Sequence, residues 1–468
     1  MYTPTIGLEV HAELKTLSKM FCGCKNSPHE SSPNQNICPV CMAHPGSLPV
    51  ANETAIRHVL LFGTAIGGTL ATYAEFDRKN YFYPDIPKAY QISQYAFPFV
   101  KGGNLGGVAL TRVHLEEDTA RSQHDKGDDS LVDFNRAGVP LMELVTEPVI
   151  HDAKTAGKFA KELQLLLRTL GISDANMEKG EMRVEANISV SKSGERSKKY
   201  VEVKNLNSFR SVESAIDFEI KRQIELLEAG GELAQETRGW DEVKGKTFSQ
   251  RSKETAKDYR YFPDPDLPKM QISNYNAFSN ASLAEIIPEL PDEKRSKYSD
   301  IGLTSNQIEV LLQNEVLIGY YDRLLALGLT TAVLVVAANY LVTDFSPLLQ
   351  GATESDLILS PANFGALMVM VHEKKISSRV AKDIIIAIGL SDTDPHAYAT
   401  EHKLISVFTT AELVTLVQEI IAAHPSVASE YKAGKTASLQ FLLGQAMKQT
   451  KGAVDPVTLK TTFEAELV

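Results

Sequence analysis

Cysteine is scarce in this chain of 468 residues, with only Cys22, Cys24, Cys38 and Cys41, all within one short stretch. That distribution excludes a disulfide-stapled secreted scaffold, whose cysteines run through the whole of a short chain. An excess of positive charge is missing too: 48 Lys and Arg against 59 Asp and Glu leave a net charge of −11. Attraction to a phosphate backbone grows with the number of basic side chains that neutralise it, so indiscriminate nucleic-acid binding is excluded and any RNA must be held by local patches. Met1-Tyr2-Thr3-Pro4-Thr5 has neither the basic nor the apolar region of an export leader. The longest apolar run, Leu324 to Val342, is interrupted by Thr330, Thr331 and Asn339 and is short for a bilayer span, so it reads as a buried helix. No low-complexity segment or short repeat stands out. What remains is a cytoplasmic globular chain with no membrane partner, in which 43% apolar and 23% charged residues can build a real core. Its length suggests about three domains.

The spacing of the cysteines, Cys-x-Cys and then Cys-x-x-Cys, is poor for a disulfide in the first pair but suits four thiolates on one tetrahedral Zn²⁺ in a knuckle over residues 20–45. Such a closed shell is structural, since it leaves no position for substrate. The other reading is four unliganded thiols.

Up to about residue 150 the chain is strand-rich. Thr5 to Leu14 alternates, with Ile6, Leu8, Val10, Ala12 and Leu14 on one face and Gly7, Glu9, His11 and Glu13 on the other. A helix is predicted from an Asp152 N-cap to Leu170, with Gly171 just beyond, burying Ala156, Phe159, Ala160, Leu163, Leu166, Leu167 and Leu170. Strands follow at Met182–Val190 and Tyr200–Val203, then a second helix from about Ser211 to Leu227, stopped by Gly230-Gly231. The order lacks βαβ regularity, so the class is α+β. Ile287-Pro288-Glu289-Leu290-Pro291 punctuates the chain, and almost everything beyond reads as helix. The domains are therefore 1–290, a helical domain 291–400 and a small helical tail 401–468, the tail carrying Ala411–Ala423 and Ser438–Met447.

Carboxylates at strand spacing recur in four segments: Glu9 with His11; His114-Leu115-Glu116-Glu117-Asp118; Glu143 and Glu147; and Arg183, Glu185 and Asn187. Glu143 shares parity with Leu141 and Val145, and on so apolar a side an unpaired charge is costly, so it needs a cation. Hard divalent ions such as Mg²⁺ bridge protein carboxylates to nucleotide phosphates, and these faces suit phosphoryl transfer; they also read as solvated strand faces with ordinary pairs. No Walker A loop is present. Gly245-Lys246-Thr247 and Gly434-Lys435-Thr436 resemble its tail, but Trp240 and Ser429 stand where its first glycine belongs. The segment Phe76 to Tyr95, dense in Tyr, Lys and Asp and carrying Pro84 and Pro87, reads as an ordered functional loop rather than a buried strand, the other reading being a packed surface loop.

Ile6 to Leu14, Phe76 to Tyr95, Ser130 through Pro148, Lys204 to Phe209, Gln235 to Arg238 and Asp258 to Pro263 together resemble the B subunit of the glutamyl/aspartyl-tRNA amidotransferase family. Similarity continues more loosely through Ile376 to Lys382 and Lys432 to Lys435. The archaeal E subunit is a near relative, but it carries an inserted domain that this chain is too short to hold. The resemblance implies a glutamine-synthetase-like cradle, a helical domain and a tail that contacts tRNA. It also implies a ligase: ATP phosphorylates the side-chain carboxyl of Glu-tRNA(Gln) or Asp-tRNA(Asn), and ammonia displaces the phosphate. Carried onto this sequence, it makes His11, Glu117 and Glu143 the Mg²⁺ ligands, with Glu9 and Glu116 for a second cation or the phosphates; the choice between Glu116 and Glu117 stays open. It puts Lys79, Tyr81 and Lys88 near the mouth of an ammonia channel, and Arg183 and Lys204 in contact with phosphate or carboxyl groups. No amidase-like Gly- and Ser-rich stretch appears, so ammonia comes from elsewhere; the family implies an amidase A subunit and a small C subunit in a heterotrimer. Lys432, Lys435, Lys448 and Lys451 form a local basic patch, either for tRNA phosphates or a solvated helix face. The competing reading of the whole is a non-catalytic, zinc-containing tRNA-binding scaffold.

Overall fold

A computed structural model of the chain describes residues 2–30, 32–123, 129–192, 199–252, 259–346, 359–389, 391–405, 410–450, 454 and 456–467. The chain divides into two compact units, Met1–Pro291 and Asp292–Val468.

The first unit is built on strands β1 (Thr3–Glu13), β2 (Thr69–Leu70), β3 (Asp77–Asn80), β4 (Tyr90–Ser93), β5 (Val100–Lys101), β6 (Asn104–Leu105), β7 (Val108–Glu117), β8 (Arg121–Gln123), β9 (Leu131–Asp133), β10 (Pro140–Thr146), β11 (Met182–Ser191), β12 (Val201–Leu206), β13 (Glu236–Asp241), β14 (Lys246–Ser252) and β15 (Phe262–Pro263). Ten of them form one sheet in the order β14-β13-β12-β11-β1-β10-β7-β5-β2, with β6 paired to β7. The β12–β13 pair is parallel, while β1 runs antiparallel to both its neighbours. β1 keeps the alternation its sequence predicts: Ile6, Leu8, Val10 and Ala12 are buried on one face, leaving Glu9 and His11 on the other.

The apolar face is covered by helices α1 (Glu53–Ala65), α2 (Ala153–Thr169) and α3 (Phe209–Glu228), which join one core with Val113, Leu144, Val184, Phe159, Leu163 and Ile216. Each fully buried side chain of this size is worth about 1.5–3 kcal/mol. α2 starts where predicted: the Asp152 carboxylate accepts from Thr155 N at 2.8 Å, and Gly171, at φ +68°, lets the chain leave. α3 begins two residues before the predicted Ser211, because Ser208 is its cap and accepts from Ser211 N.

The Phe76 to Tyr95 segment contains more regular structure than expected. β3 and β4 pair with each other, and β15 adds to β3, giving a three-stranded sheet that ties residues 77–93 to the 259–264 segment. Arg78 fastens it through 2.8 Å bonds to Asp264 and Asp266, and Asn80 Nδ2 donates to the carbonyls of Tyr259 (3.0 Å) and Arg260 (2.9 Å).

The second unit is helical among its described residues, from α4 (Pro291–Ile301), whose first residue closes the first unit, to α5 (Pro456–Leu467). The apolar run at 324–342 is not one helix. It splits into the end of Glu315–Leu325 and the whole of Thr331–Tyr340, because Gly328 takes φ +69° and the Thr330 side chain caps the second helix. Toward the C-terminus, Val417, Leu442, Leu459 and Phe463 form a separate small core. Among the described residues no helix is long and apolar enough to cross a membrane. The expected α+β class holds, with a sheet unit followed by a helical one.

Candidate active site

Strand register sets the site. On the open face of the sheet, His11 of β1 stands opposite Glu143 of β10 and opposite Arg183 of β11, while Glu143 stands opposite His114 of β7. A row Arg183, His11, Glu143, His114 therefore crosses four strands at about 4.8 Å per step. Glu9, two residues along β1, stands opposite Glu185, and Glu116 stands opposite Leu141.

The side chains converge. His11 Nε2 lies 3.4 Å from Glu143, 3.7 Å from Glu116 and 3.9 Å from Glu9. His114 Nε2 lies 3.2 Å from the same Glu143 oxygen and 4.0 Å from Glu116. Arg112 reaches the other Glu143 oxygen at 3.8 Å. Ligand atoms of Glu9, His11 and Glu143, and separately of His114, Glu116 and Glu143, all lie within 4.8 Å of one another. Convergent carboxylate oxygens with an imidazole nitrogen, buried on one sheet face, are a donor set that fits a divalent cation.

Charge crowding is visible in the protonation equilibria. Burial, helped by the Glu143 charge, pushes Glu9 up to about 7. Burial alone would depress His11, but its hydrogen bond to Glu143 and the charges of Glu143, Glu116 and Glu9 outweigh it and hold the ring at about 9. Glu143 is the mirror case: burial opposes its charge, yet His114 and His11 keep its carboxyl well below the usual range. The cluster thus demands positive charge, which a proton on His11 supplies and a metal ion would supply better.

Glu117 does not join His11 and Glu143. Adjacent strand residues point to opposite faces, and the Glu117 carboxylate accepts from Lys88 Nζ at 2.8 Å and from Ile92 N at 3.0 Å. Glu116 takes the place by the histidines, steadied by a 3.0 Å bond from Ser93 Oγ. Lys88 and Glu117 instead line a cavity of about 280 Å³ that also touches Cys41, His44 and Asp266.

Lys79 approaches the acid cluster from β3. Burial opposes its charge, but Glu116, Tyr261 and Glu143 hold the ammonium well above its ordinary range, and it lies 5.8 Å from the Tyr81 ring and 5.4 Å from that of Tyr259. The Tyr81 hydroxyl donates to Gln91 Oε1 at 3.1 Å. Arg183 and Lys204 are engaged by carboxylates: Arg183 with Asp118 at 2.9 Å, Lys204 with Glu185 at 2.7 Å.

His114, Arg112, Asp118 and Tyr261 carried no assigned role from the sequence. His114 shares the strand parity of Glu116, which is the signal that could have found it. Tyr261 gave none, because its place depends on the long-range pairing of β15 with β3.

The four cysteine sulfurs also lie within 4.8 Å of one another. Sulfurs about 2.3 Å from a shared zinc stand about 3.8 Å apart, and Cys38 and Cys41 are 3.9 Å apart. The Cys22 hydrogen bond, working against burial and with the Lys19 ammonium, holds Cys41 down at about 5, as a thiolate. The residues fit a zinc ion. In the tail, Lys432, Lys435 and Lys448 are exposed, with Lys435 2.9 Å from Glu430; Lys451 lies outside the described residues.

Residues 4–277 match the family model described as the GatB/GatE catalytic domain, and residues 331–467 match the GatB domain. A protein of Thermus thermophilus, named as the B subunit of an aspartyl/glutamyl-tRNA(Asn/Gln) amidotransferase, is 43% identical over 465 residues, 97% of each chain. Proteins of the same name from Gloeothece citriformis and Caldicellulosiruptor saccharolyticus are each 39% identical, covering 100% of this chain and 98% and 99% of their own.

Proposed function

The chain belongs to the family of aspartyl/glutamyl-tRNA(Asn/Gln) amidotransferase B subunits, and on that premise we propose that its open sheet face uses ATP and Mg²⁺ to activate the side-chain carboxyl of Glu-tRNA(Gln) or Asp-tRNA(Asn). The carboxylate oxygen takes the γ-phosphoryl group and ADP leaves. Ammonia then attacks the acyl phosphate, phosphate departs, and the amide of Gln-tRNA(Gln) or Asn-tRNA(Asn) remains.

The observation that carries this reading is the convergence of His11, Glu143 and Glu116 on one buried face. These three hold the cation, with Glu9 and His114 completing the shell or holding a second ion. When bound, the metal neutralises charge on the phosphoryl oxygens in the transition state. Lys79, held charged beside Glu116 and Glu143, adds a fixed positive charge where the transferred group gains negative charge. The enclosing cradle, of the glutamine-synthetase kind, keeps water from the acyl phosphate.

Ammonia comes from an amidase A subunit, with a small C subunit completing a heterotrimer, and it enters past Lys79, Tyr81 and Lys88. Residues 401–468 form the tail unit whose exposed lysines meet tRNA phosphates. The cysteine cluster holds structural zinc. The test is ADP release by the full chain with Glu-tRNA(Gln), ATP, Mg²⁺ and supplied ammonium. A non-catalytic scaffold gives no turnover.

A further inference from the structure

Three residues before the first cysteine stands Lys19, a lysine with none of its surface exposed. A side chain that ends in an ammonium is almost never fully buried unless an anion meets it. Among the described residues no carboxylate lies within 4.0 Å of this ammonium; its partners are the Phe134 carbonyl at 3.1 Å and the Cys41 sulfur at 3.8 Å. Glu117 packs close by, since a Cβ added at Gly138 would meet Lys19 Cδ, Cys41 Cβ and Glu117 Oε2 at 3.6, 3.7 and 3.9 Å, but its carboxylate is engaged by Lys88 and Ile92 N. Among the described residues this leaves the Cys41 sulfur to carry the balancing negative charge.

Lys19 also touches both halves of the cysteine cluster. Its backbone N–H donates to the Cys24 carbonyl at 2.9 Å while its ammonium approaches Cys41. Cys41 Sγ accepts from Cys38 N as well, at 3.2 Å, so two N–H donors converge on one sulfur. Hydrogen bonds of this kind are strongest when the acceptor is ionised. Four thiolates around one Zn²⁺ leave a surplus of two negative charges, and in a partly buried site that surplus has to be met by the surrounding protein. A lysine supplies a compact positive charge with three donor protons.

We propose that Lys19 is the charge-balancing partner of the cysteine metal centre, its ammonium donating to the Cys41 sulfur and offsetting thiolate charge that the metal leaves uncovered. This assignment rests on the structural-zinc reading above and adds to the four sulfurs a fifth residue that holds the metal without ligating it. Through Phe134 O, and through Met20 N, which donates to Gly138 O at 2.7 Å, the same stretch ties the centre to the chain that leads into β10 and Glu143.

The test loads the unaltered full chain and three variants with Zn²⁺ and challenges each with a chromogenic chelator. Lys19→Met keeps the stem and removes the charge, Lys19→Gln keeps a donor without charge, and Lys19→Arg keeps the charge. The two neutral variants lose zinc affinity roughly 10- to 100-fold, as residues that support metal ligands do when replaced, while Lys19→Arg stays within about fivefold. With Co²⁺ in place of Zn²⁺, the thiolate-to-cobalt charge-transfer band shifts in the neutral variants and returns toward its original position in Lys19→Arg, which a packing role would not produce. Melting curves identify the folded variants, and Lys19→Gln carries the test if Lys19→Met does not fold. Unchanged zinc affinity or an unmoved cobalt band in a folded neutral variant overturns the assignment. So does a lowered melting temperature with both metal readouts intact, which makes Lys19 a packing residue. An unaltered chain that takes up neither Zn²⁺ nor Co²⁺ removes the zinc reading itself, a result distinct from failure of Lys19 alone.

Discussion

At Glu143 one carboxylate is shared by His11, His114 and Arg112, all within 3.8 Å. Glu143→Gln keeps the shape and removes the charge those groups face. We expect transamidation by the assembled enzyme to fall roughly 10²- to 10³-fold, with glutamine hydrolysis by the partner unaffected. Full Gln-tRNA(Gln) formation by this variant would sink the assignment. A second residue reports on stability rather than chemistry. Burial, and then Arg57, hold His58 down at about 4, and its Nδ1 is buried without a partner. The unfolded chain takes up this proton near pH 6.5 and the folded chain only near 4, so in that window the unfolded state binds more protons and stability falls as pH drops. The loss is at most about 1.4 kcal/mol per pH unit, reduced because the ring is partly exposed. Urea midpoints measured from pH 7 to 4.5 should therefore decline less steeply in His58→Gln, and equal slopes would reject the idea. Individual site residues were legible to different depths. Glu9 and His11 follow from strand parity within one segment, and so does Glu143 on an apolar side. That Glu116 rather than Glu117 stands beside the two histidines needed the register of β7 against β10, which two neighbouring glutamates in a sequence cannot reveal.

Among the elements, the cysteine loop makes the sharpest expectation. Among its described residues it has little regular structure, with a bridge from Ser18 to Lys25 and hydrogen bonds from Asn34 and Asn36 to residues 132–135, so the four sulfurs are a main tie between its two ends. Elemental analysis should return one zinc per chain, and chelation should speed amide exchange across residues 20–45 while leaving β1 and β10 protected. A metal-free protein with the same exchange pattern would reject it. In the sheet unit, Leu163 of α2 is fully buried in the core. Leu163→Ala should cost about 2–5 kcal/mol in denaturant unfolding; a loss below about 1 kcal/mol would mean the helix packs differently. Helices with local punctuation could be read in advance: Asp152 and Gly171 bracket α2 as predicted. The apolar run at 324–342 could not, because its composition masked the break. A left-handed Gly328 followed by a capping Thr330 was the signal, outweighed by the surrounding Leu, Val and Ala. The Phe76 to Tyr95 segment hid two strands because their partners include β15, nearly two hundred residues away along the chain.

For the whole molecule, acidity and RNA binding have to be reconciled. With a net charge of −11, affinity for tRNA must come from a few placed cations, and the exposed Lys432, Lys435 and Lys448 are available. Each phosphate contact contributes a slope of roughly 0.7–0.9 in log affinity against log salt. Changing all three lysines to glutamine should therefore flatten the salt dependence of tRNA binding by about 2 to 3, and an unchanged slope would place the contact elsewhere.

The row formed by Arg183, His11, Glu143 and His114 draws one residue from each of four strands, and every step of it depends on register. Slip any one strand by a single position and its member turns toward the helices. The cluster cannot therefore exist in part. Until strands separated by more than a hundred and sixty residues of chain have all paired in frame, a nascent or misthreaded polypeptide has no convergent acid cluster, so whatever chemistry that cluster performs is confined to finished molecules without any separate regulator.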